Sequence, residues 1–243
     1  MRIIPVIDLK DGLAVHAVKG ERQSYQPLKS ALVDTAYPLD VANAYRQQLG
    51  LCEAYVADLD AILHARPQLE LIAELSRESG LELMVDAGIH DPENVLELLS
   101  IGASKVIIGA ETLTAWRELQ DIQAIVPGEK LVFSLDMRAG VLLSSCPELL
   151  ALSPLEAIQR LHESGWQEII LLDLARVGTQ SGVDRGLIDK ARKRFSQLKL
   201  LVGGGIRDID DLKNMKASGV SGVLVATILH LGLLDRDQIS ALS

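Results

Sequence analysis

The segment Met84–Leu113 aligns without a gap on Leu201–His230, so the 243-residue chain carries a copy of part of itself. Gly88 matches Gly205, Ile89 matches Ile206, Asp91 matches Asp208 and Gly102 matches Gly219. Shorter pieces repeat in the same order: Ile7–Gly12 (IDLKDG) pairs with Leu135–Gly140 (LDMRAG), and Ala57–Ala61 (ADLDA) pairs with Leu172–Arg176 (LDLAR). Self-similarity over such a span marks a fold built from like halves. Within each half, short β-branched apolar runs alternate with longer amphipathic segments, the sequence form of βα units around a parallel sheet. Eight runs read as strands: Arg2–Ile7, Ala54–Ala57, Glu82–Val85, Lys105–Ile108, Leu131–Leu135, Glu168–Leu172, Lys199–Val202 and Gly222–Val225. Their near-continuous Val/Ile/Leu content suits strands covered on both faces. Segments such as Pro92–Ser100, Pro154–Ser164 and Asp208–Ser218 open with Pro or Asp and carry apolar residues at helical spacing. Eight βα units in two similar halves predict an α/β fold, a (β/α)8 TIM barrel with a twofold half-barrel repeat, whose site lies at the carboxyl ends of the strands. No Pro- or Ser-rich linker divides the chain, so residues 1–243 are expected to form one barrel domain.

Composition narrows the function. A net charge of -9, no Lys/Arg-rich run and 3% aromatic residues argue against a nucleic-acid-binding surface, while a local site for a small anion is still open. Cys52 and Cys146 are too few for a disulfide framework or a four-cysteine zinc site, which points to a reducing compartment. The N-terminal apolar stretch ends at Asp8, too short for a signal peptide, so a cytoplasmic location is expected. The uncharged run Ala217–Leu234 is broken by Gly219, Gly222, His230 and Gly232 and reads as a buried strand leading into a helix, not a membrane span. The five histidines show no metal-ligand spacing.

The barrel rule places Asp8 and Asp136, each ending an apolar strand, across one mouth from each other. Gly203-Gly204-Gly205 after the seventh strand, followed by a helix, is a phosphate-binding device, and Val225-Ala226-Thr227 after the eighth closes the cup. Asp58 and Asp173 are symmetry mates ending strands two and six; they serve either as carboxylates supporting the catalytic pair or as structural caps. Lys10 and Lys19 follow strand one and either neutralise a phosphate or stay solvated, and Lys10 has the further option of a Schiff base.

The motifs IIPVIDLKDG (Ile3–Gly12), VADLDA (Val56–Ala61), FSLDMRAG (Phe133–Gly140), LLDLARVGTQSG (Leu171–Gly182) and VGGGIRDIDDL (Val202–Leu212) resemble the isomerase and cyclase family of histidine biosynthesis, nearer the isomerase, over essentially the whole chain. The resemblance implies a barrel of the ribulose-phosphate-binding type and an Amadori-type aldose-to-ketose rearrangement of a small phosphorylated substrate, without cofactor or metal. It makes Asp8 the general base at C2 and Asp136 the general acid at the ring oxygen, with Gly178 and Thr179 at the ring-opening region. Gly203, Gly204, Gly205 and Arg207 match the family's second phosphate site. Two carboxyls in different surroundings hold opposite protonation states, which ring opening followed by enolisation needs.

The chain departs from that family at one cluster. Where the family has another triple glycine after strand three, this sequence has Asp86-Ala87-Gly88, then His90 where an arginine is usual. Gly109-Ala110 after strand four lacks the common hydroxyl, Val177 replaces an acidic residue, and Val141–Ser153 contains no tryptophan. A carboxylate at Asp86 repels a phosphate dianion, strongly in a dry site. Three readings follow: the histidine-pathway isomerase with an altered first phosphate site, a diverged paralogue acting on a substrate with one phosphate, or a non-catalytic ligand-binding barrel.

Overall fold

The computed structural model describes residues 1–242. Eight parallel strands form the wall: β1 (Arg2–Lys10), β2 (Glu53–Asp58), β3 (Glu82–Asp86), β4 (Lys105–Gly109), β5 (Leu131–Arg138), β6 (Glu168–Asp173), β7 (Lys199–Gly203) and β8 (Gly222–Val225). Each pairs with the next, and β8 returns to β1 through Arg2↔Gly222 to Pro5↔Val225, closing the barrel. All eight expected strands are present, and the helices Pro92–Ser100, Pro154–Glu163 and Ile209–Ala217 stand where Pro and Asp signalled them. Asp91 caps the first by accepting from the Asn94 amide, and Ser153 with Glu156 forms a capping box on the second.

Side chains alternate between the two faces of each strand. Ile4, Tyr55, Met84, Ile107, Val132, Ile170, Leu201 and Leu224, one from each strand, form the packed layer inside the barrel. A larger cluster, including Ile72, Leu75, Leu98, Leu119, Ile158 and Leu212, packs the outer face of the wall against the helices. One step below the inner layer lie charges. Arg2 donates to Glu53 at 2.9 Å and pairs with Glu168, which also pairs with Lys105. This network closes the amino end, with Glu168 only 3% exposed. One and two steps above the layer lie the residues of the mouth. Among the described residues no helix is long and apolar enough to cross a membrane.

Candidate active site

The inward alternation continues from Ile4 through Val6 to Asp8 on β1, from Met84 to Asp86 on β3, and from Val132 through Ser134 to Asp136 on β5. Asp8, Asp86 and Asp136 line one cavity enclosing about 1030 Å3, part of it open to solvent. Their neighbours differ. The Ser134 hydroxyl donates to Asp136 Oδ1 at 2.7 Å and the Glu111 amide to Oδ2 at 3.2 Å. Asp8 has Val6 at the position matching Ser134, and its carboxylate accepts no hydrogen bond from the described residues. Burial pushes both carboxyls up to about 7; for Asp8 the Arg22 cation opposes this and the Asp86 charge adds to it. For Asp136 the Asp86 charge adds again, while Ser134 and the Glu111 amide oppose it.

Asp86 stands between the two. Tyr55 donates its hydroxyl to Asp86 Oδ2 at 2.8 Å, and the Gly88 amide donates to Oδ1 at 3.2 Å. Burial pushes the Asp86 carboxyl up, and burial beside the mouth carboxylates pushes the Tyr55 hydroxyl well up. A Cβ on Gly109 would lie 3.4 Å from Asp136 Oδ2 and 3.9 Å from Asp86 Oδ2, which fixes how closely these two groups flank β4. The twofold mate of Asp86 is Gly203, and the two halves solve the same space differently. Asp86 is registered against Ala57 on β2, whereas Gly203 is registered against Leu172 on β6. A Cβ on Gly203 would come within 2.8 Å of Leu172 Cδ1, so the small residue sits beside the large one in each half, with the order reversed.

The rim is closed on one side by Arg22, from the excursion after β1. Its guanidinium makes a two-point ion pair with Glu111 after β4, one contact at 3.0 Å. Tyr25 joins it, its hydroxyl pushed up to about 12 by burial and by Asp8. On the opposite side Gly204, Gly205, Ala226 and Thr227 line the cavity with Gly178 and Gln180. Gly204 and Gly205 both have φ near +92°, and a Cβ on Gly205 would lie 2.4 Å from the Gly182 carbonyl oxygen. The turn is therefore closed to any other residue, and its backbone reaches the cavity wall directly.

Several expected residues stand elsewhere. The helix N-terminus beyond the glycines is already occupied: Asp208 accepts from the Asp210 and Asp211 amides, and Asp211 accepts from the Arg207 amide and guanidinium. Arg207 is tied into that pair and does not line the cavity, nor does Gly203, which is part of β7. Lys10 donates to the Arg22 carbonyl at 3.2 Å, and Lys19 donates its amide to the Val177 carbonyl at 2.9 Å; neither side chain lines the cavity. The Thr179 hydroxyl bonds the Arg176 carbonyl and Ser181, outside the lining. Asp58 and Asp173 follow the inward residues Ala57 and Leu172, so strand alternation turns both away. Asp58 accepts from the Ala61 and Gln68 amides, and Asp173 from the Ala139 and Ala175 amides; each pins a loop.

Sequence reasoning passed over Tyr55, Tyr25, Arg22, Glu111 and Gln180. Tyr55 was two residues before Ala57 and hence on the inward face, and Glu111 aligns with Ile228 in the repeat, a charge where its mate is apolar. Arg22 carried no local signal, because its partner is 89 residues away. Among the described residues, no three His, Cys, Asp or Glu side chains are grouped so as to hold a metal ion.

The family model described as "Histidine biosynthesis protein" matches residues 2–235. An uncharacterized protein of Methanocaldococcus jannaschii is 34% identical, over 98% of this chain and 97% of its own. The 1-(5-phosphoribosyl)-5-((5-phosphoribosylamino)methylideneamino) imidazole-4-carboxamide isomerase of Thermus thermophilus is 29% identical, over 99% of each chain. M. jannaschii has a protein with that isomerase name as well, 26% identical over 97% of this chain and 96% of its own.

Proposed function

This chain belongs to the histidine biosynthesis protein family, and we propose that it is an aldose–ketose isomerase performing an Amadori-type rearrangement on a sugar that carries one phosphate. The observation that carries this reading is the pair of carboxyls, Asp8 and Asp136, each held near 7 in one cavity. Asp136 protonates the ring oxygen and opens the aminoaldose to a Schiff base. Asp8 then takes the C2 proton, and reprotonation at C1 gives the ketose. Charge favours that division: Arg22 supports the ionised base at Asp8 and the Glu111 charge disfavours ionisation of the acid at Asp136, while Asp86 raises both and the Ser134 hydroxyl and Glu111 amide partly offset the rise at Asp136. Gly178 adjoins the ring-opening region, with Thr179 supporting its turn. The phosphate sits against the backbone of Gly204, Gly205, Ala226 and Thr227.

The other half of the barrel supports a single phosphate. At the twofold mate of the glycine turn, Asp86 holds the Gly88 amide and Glu111 adds a second carboxylate. A phosphate there would meet two anions in place of free amides. That M. jannaschii has both an isomerase of the family at 26% identity and an uncharacterized relative at 34% supports a paralogue with a substrate of its own.

Expression in a histidine auxotroph lacking the isomerase tests this reading most directly, and no rescue is expected. Proton NMR of a panel of aldosylamine monophosphates should show conversion of one to its 1-amino-ketose, and phosphate-soaked crystals should show one anion, at Gly204–Gly205. Rescue, or a second anion beside Asp86, would instead make the protein the histidine-pathway isomerase. A panel on which nothing is bound or converted would leave a non-catalytic barrel.

A further inference from the structure

The geometry points to Glu111 as an anion supplied by the chain itself, seated on Arg22 in place of a second phosphate, so that the substrate's end at the β3–β4 side is uncharged. Arg22 is the one cationic side chain among the described residues lining the cavity; the other charged ones are Asp8, Asp86, Asp136 and Glu111. Guanidinium binds a carboxylate or a phosphate through two parallel hydrogen bonds, and both are already made to Glu111 Oε1 and Oε2. The Arg22 side chain is 16% exposed, so it has little free surface for another anion.

The backbone that carries the carboxylate is also fixed in place. The Glu111 amide donates to Asp136 Oδ2 at 3.2 Å and its carbonyl accepts from Ser145 at 3.4 Å, which anchors the backbone on both sides of the residue. The mate of Glu111 in the second half is Ile228, which brings no anion to the Gly204–Gly205 side. A substrate phosphate reaching Arg22 would have to displace Glu111 and leave its carboxylate unpaired near Asp86. That is selection by repulsion: the bisphosphate is excluded by a charge the monophosphate never meets.

The inference rests on the proposed function only in taking this cavity as the place where substrate binds. Calorimetric titrations with ribose 5-phosphate and ribulose 1,5-bisphosphate, on native protein and on Glu111→Gln, test it. The ratio of bisphosphate to monophosphate affinity should rise at least about tenfold in Glu111→Gln, and the gain should vanish in Arg22→Met/Glu111→Gln. Crystals soaked in inorganic phosphate should show an anion on Arg22 in Glu111→Gln and none there in the native protein. Circular dichroism and melting check the fold, with Glu111→Ala as the substitute if Glu111→Gln does not fold. An unchanged affinity ratio, a gain that survives loss of Arg22, or no anion on Arg22 in the variant would overturn the inference. If neither sugar binds the native protein yet phosphate occupies Arg22 in the variant alone, the assignment of Glu111 stands, and the isomerase reading is decided separately by the panel of aldosylamine monophosphates.

Discussion

Asp8 and Asp136 are the same chemical group facing the same cavity in different surroundings: Asp136 accepts from the Ser134 hydroxyl, which Val6 lacks at the matching position, and from the Glu111 amide, whereas Asp8 faces the Arg22 cation. Asparagine at either position removes the proton-transfer group without changing its shape. Asp8→Asn and Asp136→Asn should each lower kcat by at least about two orders of magnitude on the converted sugar phosphate. Asp86→Asn should act on both at once. Its charge raises both carboxyls, so its loss lowers both, and the two limbs of the pH profile of kcat/KM should move to lower pH together. A profile that stays in place would remove Asp86 from the electrostatics of the pair. Stability responds with the opposite sign to function. Asp136 has its value raised from 3.8 to about 7 by burial, so the stability its neutral form contributes is present below 3.8 and lost as pH rises through 7. Asp136→Asn should therefore melt higher than the native protein at pH 8, by the equivalent of up to about 4 kcal/mol, and scarcely differ at pH 4.

At the scale of elements, the two half-barrels share a backbone plan and diverge in how neighbouring strands share volume. On β2 and β3 the pair is Ala57 with Asp86; on β6 and β7 it is Leu172 with Gly203. Because packed interiors leave no slack, the larger partner in one strand dictates the smaller in the next. Ala57→Leu should crowd Asp86, disturb its bond to Tyr55 and destabilise the fold by about 1–3 kcal/mol. Adding Asp86→Gly recreates the second half's pairing in the first and should recover most of that loss. A denaturant double-mutant cycle measures the coupling, and additivity would show that the two positions do not share space.

For the whole molecule, charge is divided between the two ends of the barrel. At the amino end Arg2, Glu53, Lys105 and Glu168 neutralise one another, and the two cations outweigh the effect of burial to hold the Glu168 carboxyl below its ordinary value. At the carboxyl end, carboxylates outnumber the single arginine, and those of Asp8, Asp86 and Asp136 are held above theirs. One end is built for stability and the other for reactivity. Glu168→Gln leaves two cations short of a buried partner and should cost about 3 kcal/mol. The sign with pH follows from the lowered value: the Glu168 contribution is present above 4.5 and lost as pH falls through its folded value. Melting curves of Glu168→Gln and the native protein should therefore converge toward acid pH and separate above pH 5.

The eight strands, the twofold relation of the halves, and the placing of Asp8 and Asp136 toward the carboxyl ends of their strands were legible along the chain, because strand and helix periods belong to neighbouring residues, although both strands run two residues past the aspartates. The anomaly at Asp86 was legible too, as a carboxylate aligned with Gly203. Strand alternation already held the outward turn of Asp58 and Asp173 and the inward turn of Tyr55, once one residue of each strand was known to face in. Barrel closure fixed that phase, through registers such as Ala57↔Asp86 and Arg2↔Gly222. The values near 7 and the pairing of Arg22 with Glu111 were decided by tertiary structure alone. Desolvation and charge coupling depend on distances through space, and the groups that set them here come from strands and loops far apart in the chain.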